Sequence, residues 1–173
     1  VGNKGSDLNS MDSGTIDFPN VIFVAASDSD RRLIDYSNYG ANIVDVFSLG
    51  EYRFNGHVYR GSSIAAARVS RLAAKMMHIT SKLSPKPIKE LICDTSDKIY
   101  ELRQFSKNGE IINEQRALEE AKVKIGYFYA KRSKKNSNCK CFLDLFRENL
   151  LIIAAVNNYE VLARFAIDNG VDV

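Results

Sequence analysis

Six apolar residues in succession, Val21-Ile22-Phe23-Val24-Ala25-Ala26, run into Ser27 without any polar alternation. A strand with one wet face alternates polar and apolar positions. A continuous apolar run bounded by polar residues instead fits a strand covered on both faces, the usual situation in parallel sheets. This run therefore predicts an α/β domain in which part of a parallel sheet carries helices on both faces.

Three shorter stretches add chemistry to that frame. In Gly61-Ser62-Ser63-Ile64-Ala65-Ala66-Ala67, a serine stands at the mouth of a helix, after a glycine and before small residues that let the helix sink into a core. A serine hydroxyl is a poor nucleophile unless exposed, oriented and near a base. At a helix N-terminus, free backbone N–H groups and the positive dipole end favour negative charge forming beside it. Taken alone the stretch reads as a serine N-cap. Val1-Gly2-Asn3-Lys4-Gly5 is a strand end running into a glycine-flanked asparagine, which taken alone is a turn residue. In Phe54-Asn55-Gly56-His57-Val58-Tyr59, Asn-Gly between β-formers predicts a tight hairpin.

The order of these blocks changes their meaning. After Val1–Gly5 and the apolar run come Tyr36-Ser37-Asn38-Tyr39-Gly40, then Val44-Asp45-Val46-Phe47-Ser48-Leu49-Gly50, then the Gly61–Ala67 block. The succession resembles the C-terminal half of a subtilisin-like serine protease (subtilase) domain, whose chains read G-N-x-G, V-x-V-A-A, S-N-Y-G, V-D-V-x-A-P-G and G-T-S-M-A-x-P. Gly109–Asn113 and Ala117-Leu118 resemble the segment that closes such domains, so the likeness spans residues 1–122. It implies that Ser63 is the nucleophile and Asn3 the oxyanion-hole donor of an endopeptidase acting on protein or peptide substrates. The triad of such chains runs Asp, His, Ser, so the aspartate and histidine are expected upstream of Val1. Asp12-Ser13-Gly14 spells the aspartate motif, but no strand precedes it. His57 falls in the hairpin and His78 late on the helix, so none of the three is assigned to the triad.

The chain also departs from the pattern. Ala67 stands for the usual proline, Arg71 for a small residue, Ser48-Leu49 for Ala-Pro, Ile64 for Met and Ser62 for Thr. Arg68, Arg71, Lys75, His78 and Lys82 fall at helical spacing and form a basic stripe. Unpaired buried charge costs several kcal/mol, so this face is expected to be exposed or covered by carboxylates from upstream segments. The departures keep a second reading open: an inactive subtilase scaffold that binds other proteins.

Beyond residue 122 the character shifts. Residues 123–147 are basic and polar without a clean period, and Lys131-Arg132-Ser133-Lys134-Lys135 with Lys140 carries much of a net charge of only +3. An exposed linker is expected there, not a nucleic-acid site. Residues 148–173 read as an ankyrin-like helix-turn-helix. Asn149–Ala155 opens a helix, a second runs from about Tyr159 to Asp168, and Asn169-Gly170-Val171-Asp172-Val173 resembles the turn that ends such repeats. One repeat cannot bury its apolar face, so further repeats and a protein partner are expected.

With 45% hydrophobic and 26% charged residues and no apolar run of the ~18 residues a membrane span needs, the chain suits a globular protein. Cys93, Cys139 and Cys141, an odd set with a C-x-C pair, are expected to be free thiols and form no zinc set. No cofactor or metal is expected. Calcium is common in the resembled family, but no acidic cluster matches a loop that would hold it. The compartment stays open: the resemblance suggests secretion, while the cysteines and the repeat lean toward intracellular action.

Overall fold

The computed structural model describes residues 1–10, 18–79 and 83–133, with side chains of the last helix described up to Lys124. By internal packing the chain divides into Val1–Ala121 and Lys122–Val173. The first unit holds the sheet. Strand β1 (Val24–Ser27) pairs in parallel with β2 (Val46–Leu49), Val24 lying opposite Val46 and Ser27 opposite Leu49. Between β2 and the helices come β3 (Glu51–Phe54) and β4 (His57–Arg60), a separate antiparallel hairpin. Helices α1 (Ser62–Ile79) and α2 (Pro85–Asp94) follow. Two short strands, β5 (Asp97–Lys98) and β6 (Glu110–Ile111), complete the sheet before α3 (Glu114–Ser133). The sheet order is β1-β2-β6-β5, with β6 parallel to β2 and β5 antiparallel to β6.

The apolar run becomes a strand only from Val24. Asp45 stands where a ladder partner for Phe23 would be, and its carboxylate accepts the Phe23 N–H at 2.8 Å. Upstream of that point Val21 is exposed. From Val24 onward the burial is two-sided. Val24, Ala26 and Val46 pack against Ala65, Val69, Leu72 and Met76 of α1, with Ile88, Leu91 and Ile92 of α2 and Ala117 and Ala121 of α3 in the same cluster. Ala25, Phe47, Val44 and Ile111 pack with Leu102 on the opposite face. The apolar residues of α1 recur at intervals of three and four, the spacing of one helix stripe.

Helices were expected on both faces. Among the described residues α1, α2 and α3 share one core cluster, and the other face is closed by a 3₁₀ turn at Tyr100–Leu102 with Val1, Leu33, Ile99 and Phe105. The architecture is mixed α/β with a partly parallel sheet.

α3 continues through residue 122, where a linker was expected to begin, and residues 123–133 are helical. Its sequence is rich in Ala, Glu, Lys and Arg, whose intrinsic helix preference needs no apolar period. Asn113 caps it, its side-chain oxygen accepting the Arg116 N–H at 3.0 Å. The ankyrin-like segment, the rest of the linker, Cys139, Cys141, Asp12 and Lys82 lie outside the described residues. No helix among the described residues is long and apolar enough to cross a membrane.

Candidate active site

Gly50 and Gly61 join the carboxyl end of the sheet to the start of α1. The Gly50 N–H donates to Ser27 O at 2.9 Å, and the Gly61 N–H donates to Gly50 O at 3.0 Å. Tyr36 adds a second donor to the same carbonyl, its hydroxyl lying 2.9 Å from Gly50 O. Burial raises the Tyr36 phenol above its ordinary pKa, which keeps it a donor. A Cβ on Gly50 would meet Ala26 Cβ at 2.5 Å and the Tyr36 hydroxyl at 2.7 Å, so only glycine passes here. The hairpin between the two glycines turns as its sequence demands, with Asn55 at φ 48 and Gly56 at φ 78.

The chain then enters α1 with Ser62 buried and Ser63 exposed. Ser62 is clasped to the N-terminal segment in both directions. Its N–H donates to Asn3 Oδ1 at 2.7 Å, and its hydroxyl accepts the Gly2 N–H at 3.2 Å. With Oδ1 engaged by the Ser62 N–H, Nδ2 is the donor end of the Asn3 amide. Gly61 leaves the space this requires: the point a Cβ would occupy there is 3.0 Å from Ser63 Oγ and 3.7 Å from Asn3 Nδ2. Ser63 Oγ and Asn3 Nδ2 thus both lie within 4 Å of one point beside Gly61, at a helix N-terminus. The Ser63 N–H, one of the unpaired first-turn donors, has no partner among the described residues.

Asn38 holds the other side of the Asn3 loop, a role its place in Tyr36–Gly40 did not reveal. Its Oδ1 accepts the N–H groups of Lys4 at 2.9 Å and Ser6 at 3.1 Å, and its Nδ2 donates to Val1 O at 3.1 Å. Gly2, at φ 111, leaves room for that amide. The signal was present as an asparagine in a short motif, but its partners lie more than thirty residues away.

The histidines sit elsewhere. His57 opens β4 at the turn end of the hairpin, roughly 13 Å of strand from Gly61. His78 lies in the last turn of α1, fifteen residues past Ser63 and so roughly 22 Å along the axis. Neither stands beside Ser63. The basic stripe is exposed at Arg71, Lys75 and His78. That exposure is one of the two alternatives expected for the stripe, and a carboxylate of α3 also meets it: Glu114 accepts from Arg71 at 2.6 Å and from Lys75 at 2.5 Å. Cys93 is a free thiol, pushed up to about 12 by burial and, less strongly, by Asp45 and Glu110.

A helix with an exposed serine in its first turn, starting at the carboxyl ends of parallel strands beside an asparagine loop, fits a serine protease-like α/β fold. The family model of the subtilases, peptidase S8, matches residues 1–127, and the chain belongs to that family. No curated protein matches it significantly. Among solved structures, one described as the structural basis of subtilase cytotoxin SubAB assembly is 22% identical, with a TM-score of 0.58 over 72% of this chain and 48% of that one. The A subunit of the AB5 toxin from E. coli is 23% identical, with a TM-score of 0.59 over 70% and 48%. A protease of Pseudoalteromonas arctica is 20% identical, with a TM-score of 0.53 over 69% and 41%. The chain spans less than half the length of each, and at these identities the likeness is one of fold.

Proposed function

We propose that the chain supplies the nucleophile and one oxyanion donor of a subtilisin-like serine endopeptidase acting on proteins or peptides. The observation that carries this reading is the approach of both Ser63 Oγ and Asn3 Nδ2 to the point a Cβ would occupy at Gly61. Ser63 Oγ attacks the substrate carbonyl carbon. Its proton passes to a histidine outside this 173-residue chain, whose two histidines are His57 and His78, and an aspartate that is also outside the chain holds that histidine. The charge that develops on the carbonyl oxygen is received by the Asn3 amide and the Ser63 N–H, donors already fixed before the reaction begins. Collapse of the tetrahedral intermediate expels the amine, which takes the proton back, and water then releases the acyl group by the same route.

The full-length protein should react with a fluorophosphonate probe, and Ser63→Ala should abolish labelling. Labelling of both forms alike would remove Ser63 from the chemistry. Labelling of neither would favour a catalytically inactive scaffold that binds other proteins. Asn3→Ala should lower kcat by about two to three orders of magnitude with KM within a few fold, because the donor meets charge present mainly in the transition state. A change confined to KM would reassign Asn3 to substrate binding.

A further inference from the structure

Beside Ser63 an open groove of about 600 Å³ runs between the hairpin and the first turns of α1. Tyr52 and Tyr59 wall it on the hairpin side, and Ser63, Ile64 and Ala67 lie on the helix side. The two tyrosines are ladder partners, Tyr52 standing opposite Tyr59, so both rings project from one face of the hairpin. Phe54 shares that face and stacks on Tyr52, the ring centroids 6.3 Å apart and the planes 13° from parallel. Each tyrosine is about half exposed (50% and 51%), and Ile64 and Ala67 also reach solvent. Among the described residues, four of the eight exposed large apolar side chains belong to this one hairpin: Tyr52, Phe54, Val58 and Tyr59. A two-stranded hairpin buries little of its own. Apolar surface concentrated in this way marks a place where another chain docks.

The arginines that border the groove are occupied. Arg60 pairs with Glu51 at 2.7 Å and Arg71 with Glu114 at 2.6 Å. Arg68 donates to the Glu51 carbonyl at 3.0 Å, which ties β3 to α1 and sets the distance between the two walls. The surface left for a ligand is therefore mainly ring and methyl carbon.

We propose that this groove holds a substrate residue next to the scissile bond and selects an aromatic side chain there, with Tyr52 and Tyr59 as the recognising groups. The proposal rests on the peptidase reading of Ser63 and narrows the class of peptide that this reading leaves open. Ser63 lines the groove itself, so chain connectivity decides the occupant. A peptide whose carbonyl carbon meets Ser63 Oγ carries its adjoining residues past these walls. Ala67 lies four residues beyond Ser63, a rise of roughly 6 Å, which about two residues of extended peptide span. The selected side chain therefore belongs to the first or second residue from the cleaved bond, on the side that faces the hairpin. An aromatic ring gains from stacked or edge-on contact with tyrosine beyond the area it buries. Ile64 and Ala67 receive the other face of such a ring with apolar contact.

The test uses the full-length protein and peptides that carry Phe, Leu or Ala at each of the two positions on either side of the bond. At one or two positions on one side, the Phe peptide should be cleaved with a kcat/KM about tenfold above the Ala peptide, with Leu between them. Tyr52→Ala and Tyr59→Ala should each narrow that ratio to about threefold, and the double variant should bring it near one. Tyr52→Phe and Tyr59→Phe keep the rings and should keep the preference. Fluorophosphonate labelling reports whether Ser63 is still assembled in each variant. In Ser63→Ala protein the Phe peptide should bind more tightly than the Ala peptide by fluorescence anisotropy, and added salt should leave the gap in place, as apolar contact requires. An active, labelled enzyme that cleaves Phe and Ala peptides equally at all four positions would overturn the proposal and leave the peptidase reading intact. A Phe preference untouched by the double alanine variant at every position would overturn it as well, since the selection would lie elsewhere. Equal binding of the two peptides to Ser63→Ala would overturn the groove assignment without reference to turnover. Absence of labelling in the wild type would overturn the peptidase reading and the proposal with it.

Discussion

Ser62 shows how much of the candidate site rests on a buried neighbour of Ser63. It is held from both directions by Gly2 and Asn3, and the Asn3 side chain is oriented through the Ser62 N–H. Ser62→Thr, which keeps the hydroxyl, should leave turnover within a few fold. Ser62→Ala frees the Gly2 N–H and should lower kcat about tenfold with little change in KM, since a loosened donor loses transition-state charge stabilisation first. Steady-state kinetics on both variants separates these outcomes. Asn38 carries the same loop from behind. Asn38→Ala leaves the Lys4 and Ser6 N–H groups without an acceptor and should cost about 2–4 kcal/mol by denaturant melting, in line with two unsatisfied donors. Cys93 is controlled by burial instead. A folded-state thiol raised from 9.0 to about 12 binds its proton where the unfolded chain has lost it. Its contribution to stability is therefore complete below about pH 9 and is lost as pH rises toward 12. Peptide mapping after alkylation at pH 8 should find Cys93 unmodified in the folded protein and modified in denaturant.

At the scale of elements, α1 is held at its start and in its middle by different chemistry. Its start depends on the Asn3 clasp and the Gly50–Gly61 bond, its middle on Glu114 of α3 meeting Arg71 and Lys75. The hydrogen bond from Lys75, and then the charge of Arg71, hold the Glu114 carboxyl below its ordinary pKa. A depressed carboxylate contributes stability that is complete above the ordinary carboxylate range and disappears as pH falls through the lowered value. Glu114→Gln should remove that share of acid sensitivity. At neutral pH it should cost no more than about 1 kcal/mol, since all three groups are partly solvated. Thermal melts of both proteins across the acid range check this. The hairpin is anchored by Arg68 and the Glu51–Arg60 pair at its base, leaving its tip free of the site.

For the molecule as a whole, the placement of the two histidines decides what this chain can do by itself. The proposed nucleophile Ser63 and the proposed oxyanion donor Asn3 lie close together beside Gly61, while His57 and His78 lie a strand and a helix away. The 173-residue chain on its own should therefore leave casein uncut, with wild type and Ser63→Ala indistinguishable in a fluorescent casein assay. Activity that His57→Ala abolishes would mean that the hairpin folds back over Ser63.

Residue order alone determined the family blocks, the Asn55-Gly56 hairpin and the helix opening at Ser62, because each depends on neighbours a few positions apart: turn chemistry, capping and period. It marked Ser63 and Asn3 as belonging together without showing how. What tertiary structure decided are the contacts between distant segments. The Asn3–Ser62 clasp joins residues 59 apart, Asn38 reaches Lys4 across 34, and Glu114 reaches Arg71 across 43. The same holds for the sheet, where β5 and β6 are two residues each, too short to carry a pattern, and pair only because the fold brings β6 beside β2 and β5 beside β6. Local preference fixes where elements begin. Which buried donor meets which acceptor is settled only when the chain has folded back on itself and every such group must find a partner.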